Sequence, residues 1–183
     1  IGFYHLLKKQ GAKIKYTNFK KENNEMRGDI FIKNCKLKPI KADKKYYTNA
    51  TDEYPILFVI AALVKGTSIF KGIKDLANKE SNRIKEMQNI LTQIGIKSIS
   101  SKDSLKIFGK GIFNAENKKI IVSNLGDHRI CMSAFILALL TGATTKIKNF
   151  ETVNTSSPSF LKIMKYLGAK SVSYTHLRAH ETY

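Results

Sequence analysis

An internal repeat of about 75 residues restricts the fold of this chain more than any other feature of its sequence. Two apolar helical segments end at Gly66 and Gly142, and a strand-like segment follows each of them. A second sequence pattern occurs at Gly11, Gly95 and Gly168. In each case a helix end is followed by the glycine, a small or aliphatic residue, a lysine and then a strand. Because both markers recur after nearly the same distance, we infer that one structural unit occurs more than once.

Within one unit, the hydrophobic pattern predicts the order helix, strand, helix, strand, strand. The predicted elements are apolar helices at 54–64 and 130–140, a strand at 67–70, an amphipathic helix at 81–94 with its apolar stripe on Ile84, Met87, Ile90, Leu91 and Ile94, strands at 97–100 and 104–108, and a strand at 29–37 that ends an incomplete earlier unit. The first two helices are apolar nearly all round, which predicts that they are buried on most sides. The pattern therefore indicates an α/β fold with helices in the middle and sheets outside.

The chain is strongly basic, with 32 Lys and Arg against 14 Asp and Glu and a formal net charge of +18. Such an excess favours polyanions, acidic surfaces or phosphorylated metabolites as partners. Most of the excess is lysine spread along the whole chain, so a purely compositional origin stays open. No sequence signature of an RNA- or DNA-binding module is present, and we expect no nucleic-acid partner. The longest apolar run, 130–140, is too short to cross a bilayer, and we expect no membrane partner.

The two cysteines and the chain ends carry little functional signal. Cys35 and Cys131 fit neither a disulfide framework nor a metal-binding spacing, which favours a reducing cytoplasm, and Cys131 is expected to be a core residue. The first residues are typical of a helix end, which suggests a truncated N-terminus. Residues 172–183 break the repeat and resemble translated sequencing-adaptor sequence. We exclude this tail from the predicted domain 1–171, although His176 and His180 have a spacing that can hold a metal on a helix.

Two short charged clusters lie at the starts of predicted helices. Lys79, Glu80 and Arg83 precede the apolar stripe of one helix, and Lys79 and Arg83, four positions apart, are expected to share its face. His128 and Arg129 begin another helix. Since the N-terminus of a helix attracts anions, the clusters predict a site for a small, multiply charged substrate. A solvated helix start with a loose Glu–Arg ion pair is the alternative.

Asp52 and Asp127 each precede an apolar helix. An aspartate at this position accepts hydrogen bonds from free backbone N–H groups, and capping is the simplest interpretation of both residues. A catalytic role for Asp52 stays open beside it.

Three segments resemble motifs of a single enzyme family. They read DEYPIL at 52–57, KESNRI at 79–84 and LGDHRI at 125–130. In this order and spacing they resemble the motifs D-E-x-P-I-L, K-E-S-D-R-I and G-D-H-R in the C-terminal half of the 5-enolpyruvylshikimate-3-phosphate synthases. The segment NTSSP at 154–158 also resembles the final loop of that family.

The resemblance implies a fold, a reaction and partners. The fold is an inside-out α/β barrel domain of repeated βαβαββ units, here partial, and the missing N-terminal domain of the same protein would be a partner. The implied enzyme, a 3-phosphoshikimate 1-carboxyvinyltransferase of the shikimate pathway of aromatic amino-acid biosynthesis, moves the enolpyruvyl group of phosphoenolpyruvate to the 5-hydroxyl of shikimate 3-phosphate. Phosphate is released by addition and elimination. No metal or organic cofactor is implied, and the full-length protein is expected to be a cytoplasmic monomer.

Each motif position that matches carries an implied role. Asp52 would take the hydroxyl proton and hold shikimate 3-phosphate, Lys79 would contact the same substrate and help move protons, and Glu80 would protonate and later deprotonate the methylene carbon. Arg83 and Arg129 would bind the carboxylate and phosphate of phosphoenolpyruvate. His128 would be a supporting donor beside them.

The chain departs from the family pattern at several positions, which are Asn82 in place of Asp, Asp75 where some members have Asn, Thr155 where some have Lys, and Ser157 in place of an aromatic residue. Because the groups expected from the other domain are absent, we expect the isolated chain to be inactive. The nearest alternative is the related enolpyruvyl transferase that acts on UDP-N-acetylglucosamine, which in general uses a cysteine-bearing loop. A basic nucleic-acid-binding module is the alternative from another class.

Overall fold

The computed structural model describes residues 2–123 and 126–170. Its helices are α1 (Gly2–Lys9), α2 (Tyr54–Ala62), α3 (Arg83–Gln93), α4 (His128–Thr141) and α5 (Phe160–Tyr166). Its strands are β1 (Lys13–Glu22), β2 (Glu25–Lys33), β3 (Lys41–Ala42), β4 (Gly66–Lys71), β5 (Ser98–Ser101), β6 (Ser104–Gly109), β7 (Lys119–Val122) and β8 (Thr144–Ile147). Short 3-10 helices span Lys44–Tyr46, Thr51–Glu53, Lys74–Asn78 and Phe150–Thr155. The tail 172–183, with its two histidines, lies outside the described residues.

One repeat unit is complete and reads β3-α2-β4-α3-β5-β6. Its strands form a sheet in the order β3-β4-β6-β5, in which β3 and β4 run parallel and the other neighbours run antiparallel. The next unit begins in the same way, because β7 and β8 flank α4 and pair parallel. The predicted order of helix, strand, helix, strand, strand is confirmed, and the predicted strands 97–100 and 104–108 lie within one residue of β5 and β6.

The strand predicted at 29–37 is wrong in its bounds. The corresponding strand, β2, begins at Glu25 and ends at Lys33, and it pairs antiparallel with β1. Asn23 and Asn24 adopt positive φ angles of 49° and 64° and make the turn of this hairpin. The sequence pattern failed here because the charged residues and the glycine at 25–29 are typical of a loop, whereas the cross-strand hydrogen bonds keep them extended.

The three central helices pack against one another, and the sheets lie outside them. α2, α3 and α4 are in mutual contact, while α2 contacts β6, α3 contacts β5 and β7, and α4 contacts β7 and β8. The five residues of the predicted apolar stripe on α3 are all buried. At the end of β6, a Cβ atom on Gly109 would overlap the backbone oxygens of Ala61 and Val64, so the close approach of this strand to α2 requires a glycine.

The prediction that both apolar helices are buried on most sides holds for α2 and for most of α4. Leu139 and Leu140, near the end of α4, are exposed. Cys131 is buried on α4, and burial, followed by the charge of Asp127, raises the pKa of its thiol to about 11. A thiol with this pKa is a core residue and a poor nucleophile at neutral pH, as predicted. Within 2–123 and 126–170, every helix is too short or too polar to traverse a lipid bilayer.

Candidate active site

Asp127 joins the starts of two helices. It is the N-cap of α4, where its Oδ1 atom accepts the backbone N–H groups of Arg129 at 3.1 Å and Ile130 at 3.4 Å, and the predicted cap is confirmed. Its Oδ2 atom accepts hydrogen bonds from Ser81 Oγ and Arg83 Nε, each at 2.9 Å. Burial alone would raise the pKa of this carboxyl group, but the hydrogen bonds from Arg83 and Ser81 outweigh it and hold the pKa below its usual value.

Arg83, the first residue of α3, is fully buried and contacts three carboxylates. Besides Asp127, its Nη1 atom lies 3.3 Å from Asp52 Oδ1 and its Nη2 atom pairs with Glu80. Burial would lower the pKa of the guanidinium group, but the hydrogen bond and the charge of Asp127, with smaller contributions from Glu80 and Asp52, raise it. A buried arginine is tolerated here because each of its three guanidinium nitrogens donates to a carboxylate.

Asp52 lies between two guanidinium groups. Its Oδ1 atom faces Arg83, and its Oδ2 atom accepts a hydrogen bond from Arg129 Nη2 at 3.0 Å. The Nη1 atom of Arg129 also donates to the backbone oxygen of Asp52, at 3.1 Å. Asp52 belongs to the 3-10 helix Thr51–Glu53, which precedes α2. The N-cap residue of α2 is Glu53, and its side chain forms no capping hydrogen bond. The capping interpretation is therefore wrong for Asp52, because its carboxylate is engaged by cations from two distant segments.

Lys79 and His128 lie beside this cluster. Among the described residues, the ion pairs of the cluster include neither of them. Lys79 is exposed and has an extended backbone after the 3-10 helix Lys74–Asn78, while His128 is half-buried at the start of α4. The expectation that Lys79 and Arg83 share a helical face is wrong. The side chain of Asn82 accepts a hydrogen bond from the backbone N–H group of Lys85 and caps α3. The helix therefore begins at Arg83, four residues after Lys79.

Two positions at which the chain departs from the motif pattern also fall near helix ends. Asp75 lies in the 3-10 helix Lys74–Asn78, and its charge, after burial, contributes to the raised pKa of Tyr47. Thr155 ends another 3-10 helix, where its hydroxyl group donates to the backbone oxygen of Thr152 at 2.7 Å.

The structure brings Asp52, Glu80, Arg83 and Arg129 into one cluster, and it adds Asp127 and Ser81, which the sequence did not indicate as members. The two arginines are paired with carboxylates of the chain itself. The side chains of Asp52 and Glu80 are 51% and 50% exposed, so both reach solvent while they touch a guanidinium group. Such groups can exchange protons with a ligand, and the guanidinium forks match carboxylate or phosphate oxygens.

Solved structures with the same fold define the class of protein. EPSP synthase from Acinetobacter baumannii matches with a TM-score of 0.82 at 32% sequence identity, over 90% of this chain and 38% of that chain. The enolpyruvyl transferase NikO from Streptomyces tendae matches with a TM-score of 0.64 at 14% identity, over 92% of this chain and 35% of that chain, which shows a shared fold. The described residues therefore form part of a domain of the enolpyruvyl transferase fold, and the expected class of inside-out α/β domain is confirmed.

The family follows from the sequence comparisons. The family model for EPSP synthase (3-phosphoshikimate 1-carboxyvinyltransferase) matches residues 2–164, and the chain belongs to this family. A 3-phosphoshikimate 1-carboxyvinyltransferase of Thermoanaerobacter sp. (strain X514) is 34% identical over 91% of this chain, and that of Campylobacter hominis is 40% identical over 92%. The chain spans 38% of the length of each of these relatives. The matches favour this family over the two alternatives that the sequence left open.

Proposed function

We propose that the chain supplies the proton-transfer groups and the two arginines of an active site that moves the enolpyruvyl group of phosphoenolpyruvate to the 5-hydroxyl of shikimate 3-phosphate. The observation that carries the proposal is the Asp52 carboxylate, which bridges Arg83 and Arg129 across 31 and 77 sequence positions. Membership of the EPSP synthase family supports the choice of substrates. The remaining part of the site would come from the rest of a longer, monomeric cytoplasmic protein.

The proposed reaction is an addition followed by an elimination. In the addition, the oxygen of the 5-hydroxyl attacks the central carbon of phosphoenolpyruvate, Asp52 takes the hydroxyl proton, and Glu80 gives a proton to the methylene carbon. In the elimination, Glu80 takes a proton back from the resulting methyl group while the bond between the central carbon and the phosphate oxygen breaks, and the leaving phosphate takes up the proton that Asp52 holds. Each carboxyl group thus acts on a different atom, and its partial exposure in the cluster gives it access to a substrate.

Arg83, Arg129, Lys79 and His128 are proposed to bind the charged groups. The guanidinium forks of the two arginines suit the carboxylate and phosphate of phosphoenolpyruvate. Lys79, which is exposed next to Glu80, would contact shikimate 3-phosphate, and His128 would donate a hydrogen bond beside Arg129. Two polyanions repel each other, so this concentration of positive charge lowers the cost of bringing them together.

The experiment is a chimeric enzyme in which this chain replaces the matching segment of the Campylobacter hominis relative. We expect the chimera to release phosphate from phosphoenolpyruvate only when shikimate 3-phosphate is present. The variants Glu80→Gln and Asp52→Ala should keep the fold, judged by circular dichroism, and should lose a factor of about 10²–10⁴ in turnover. The proposal is wrong when a folded chimera shows no turnover, or when either variant keeps the parental rate.

A further inference from the structure

We propose that Asp52 and Glu80 act as exchangeable ligands of the two arginines. Anionic groups of the substrate would replace them on Arg83 and Arg129, and the displaced carboxylates would then be available for proton transfer. This inference rests on the proposed function and adds a coupling between binding and catalysis. It follows from differences in burial and hydrogen bonding among the three carboxylates of the cluster.

The Asp127 carboxylate is built into the fold. It is 0% exposed, it caps α4, and it accepts hydrogen bonds from Ser81 and from the Nε atom of Arg83. Removing this group would leave the cap of α4 and the buried guanidinium unsatisfied at the same time, which is costly. Asp127 is therefore a fixed partner, and it holds Arg83 in one orientation.

The Asp52 and Glu80 carboxylates are held much less firmly. Their side chains are 51% and 50% exposed, and each contacts the outer Nη atoms of a guanidinium group. Ion pairs with an exposed partner contribute little to stability, so a competing anion can displace them at small cost. The strongest contact of Asp127 is therefore to the Nε atom of Arg83, with a longer one of 3.5 Å from its Oδ1 atom to Nη2, whereas the replaceable groups Asp52 and Glu80 pair with Nη1 and Nη2.

The geometry also explains why exchange is needed before proton transfer. Asp52 uses both carboxylate oxygens as acceptors, Oδ1 for Arg83 and Oδ2 for Arg129. Each oxygen keeps a second lone pair, but the two guanidinium groups together fix the orientation of the Asp52 carboxylate, which cannot turn toward a substrate hydroxyl while both contacts remain. An anion with several oxygens can occupy the same guanidinium atoms, because their spacing matches carboxylate and phosphate equally well. Binding of that anion would release both carboxylates, so that Asp52 could take the hydroxyl proton and Glu80 could take up from solvent the proton that it gives to the methylene carbon.

The test measures the affinity of the chimera for phosphoenolpyruvate by equilibrium dialysis with labelled ligand, without shikimate 3-phosphate and at constant ionic strength. Glu80→Gln and Asp52→Asn remove a competing charge, and we expect each to bind phosphoenolpyruvate about three- to fivefold more tightly than the parent. Glu22→Gln is the matched control. Glu22 is also 50% exposed and pairs with an arginine, Arg27, at 2.9 Å, but it lies on the β1–β2 hairpin. The Glu22→Gln substitution changes the net charge by the same amount as the site variants. The affinity of this control for phosphoenolpyruvate should stay within about twofold of the parent.

Three results would overturn the exchange: unchanged or weaker binding in both site variants, equal tightening in the Glu22→Gln control, or no binding by any of the folded chimeras. Circular dichroism of each variant verifies the fold. Failure of this inference is distinguishable from failure of the proposed function, because turnover is measured separately in the chimera. A chimera that turns over while Glu80→Gln binds no more tightly would reject the exchange and leave the proposed reaction intact.

Discussion

At Asp127, one buried carboxylate accepts hydrogen bonds from Ser81, from Arg83 and from backbone N–H groups of α4. The cap was predictable from an aspartate that precedes an apolar helix. The partner of its other oxygen was not predictable, because Arg83 lies 44 positions away and only the packing of α3 beside α4 brings the two together. A buried Arg–Asp pair leaves no periodic signal in a single sequence.

We predict that Asp127→Asn lowers the free energy of unfolding by about 3 kcal/mol, since Arg83 would keep its buried charge and lose its buried partner. Urea denaturation at pH 7 measures this difference. Asp52→Asn is the control, because the Asp52 carboxylate is 51% exposed and its removal should cost no more than about 1 kcal/mol. Equal losses in the two variants would contradict the assigned difference between fixed and exchangeable carboxylates.

The difference in unfolding free energy between the parent chain and Asp127→Asn should depend on pH. The pKa of Asp127 is lowered in the folded chain, so its contribution to stability is complete above its unfolded value of about 4 and is lost as the pH falls through the folded value. The Asn variant lacks this group. The difference in unfolding free energy between parent and variant should therefore shrink below about pH 4, and a constant difference down to pH 2 would contradict the pair.

At the scale of elements, periodicity located the helices better than it located their first residues. The apolar stripe of α3 was predicted correctly, yet the helix begins at Arg83 and not at Ser81, because the side chain of Asn82 caps it. With this start, Lys79 lies four residues before the helix and does not share a helical face with Arg83. Strand β2 was misplaced for a related reason, since its extent depends on pairing with β1 and its own residues resemble a loop. Local pattern fixes the type of an element, and contacts with other segments fix its ends.

The β1–β2 hairpin exposes an unusual amount of apolar surface, with Phe19, Met26, Ile30, Phe31 and Ile32 between 43% and 59% exposed. Such a surface binds hydrophobic dyes and promotes association. We predict that Ile32→Thr, which keeps a β-branched side chain, reduces the fluorescence of 8-anilinonaphthalene-1-sulfonate bound to the chain and changes the free energy of unfolding by no more than about 0.5 kcal/mol.

Ile112→Thr is the matched control for the hairpin. Ile112 is 90% exposed but lies outside the strands, and a single exposed apolar residue is ordinary in a folded protein. Its replacement should leave the dye fluorescence nearly unchanged. Equal effects of the two substitutions would show that the hairpin is no special apolar surface.

At the scale of the whole molecule, three segments that are distant in sequence supply one cluster. The turn before α2 supplies Asp52, the start of α3 supplies Glu80 and Arg83, and the start of α4 supplies Asp127 and Arg129. The repeat accounts for part of this convergence, because α2 and α4, the equivalent helices of successive units, pack against each other, and α3 packs against both. The repeat and the motifs were visible in the sequence, whereas the pairing of cations with carboxylates of the chain required the packed structure.

Solvent deuterium in the product tests the central claim most directly. Because Glu80 is proposed to add a proton to the methylene carbon and then remove one, the chimera working in heavy water should place deuterium on that carbon of the enolpyruvyl product, as detected by mass spectrometry. The Glu80→Gln chimera should incorporate deuterium at a rate lower by a factor of about 10² or more. Phosphate release at the full rate with a product free of deuterium would contradict addition and elimination through Glu80.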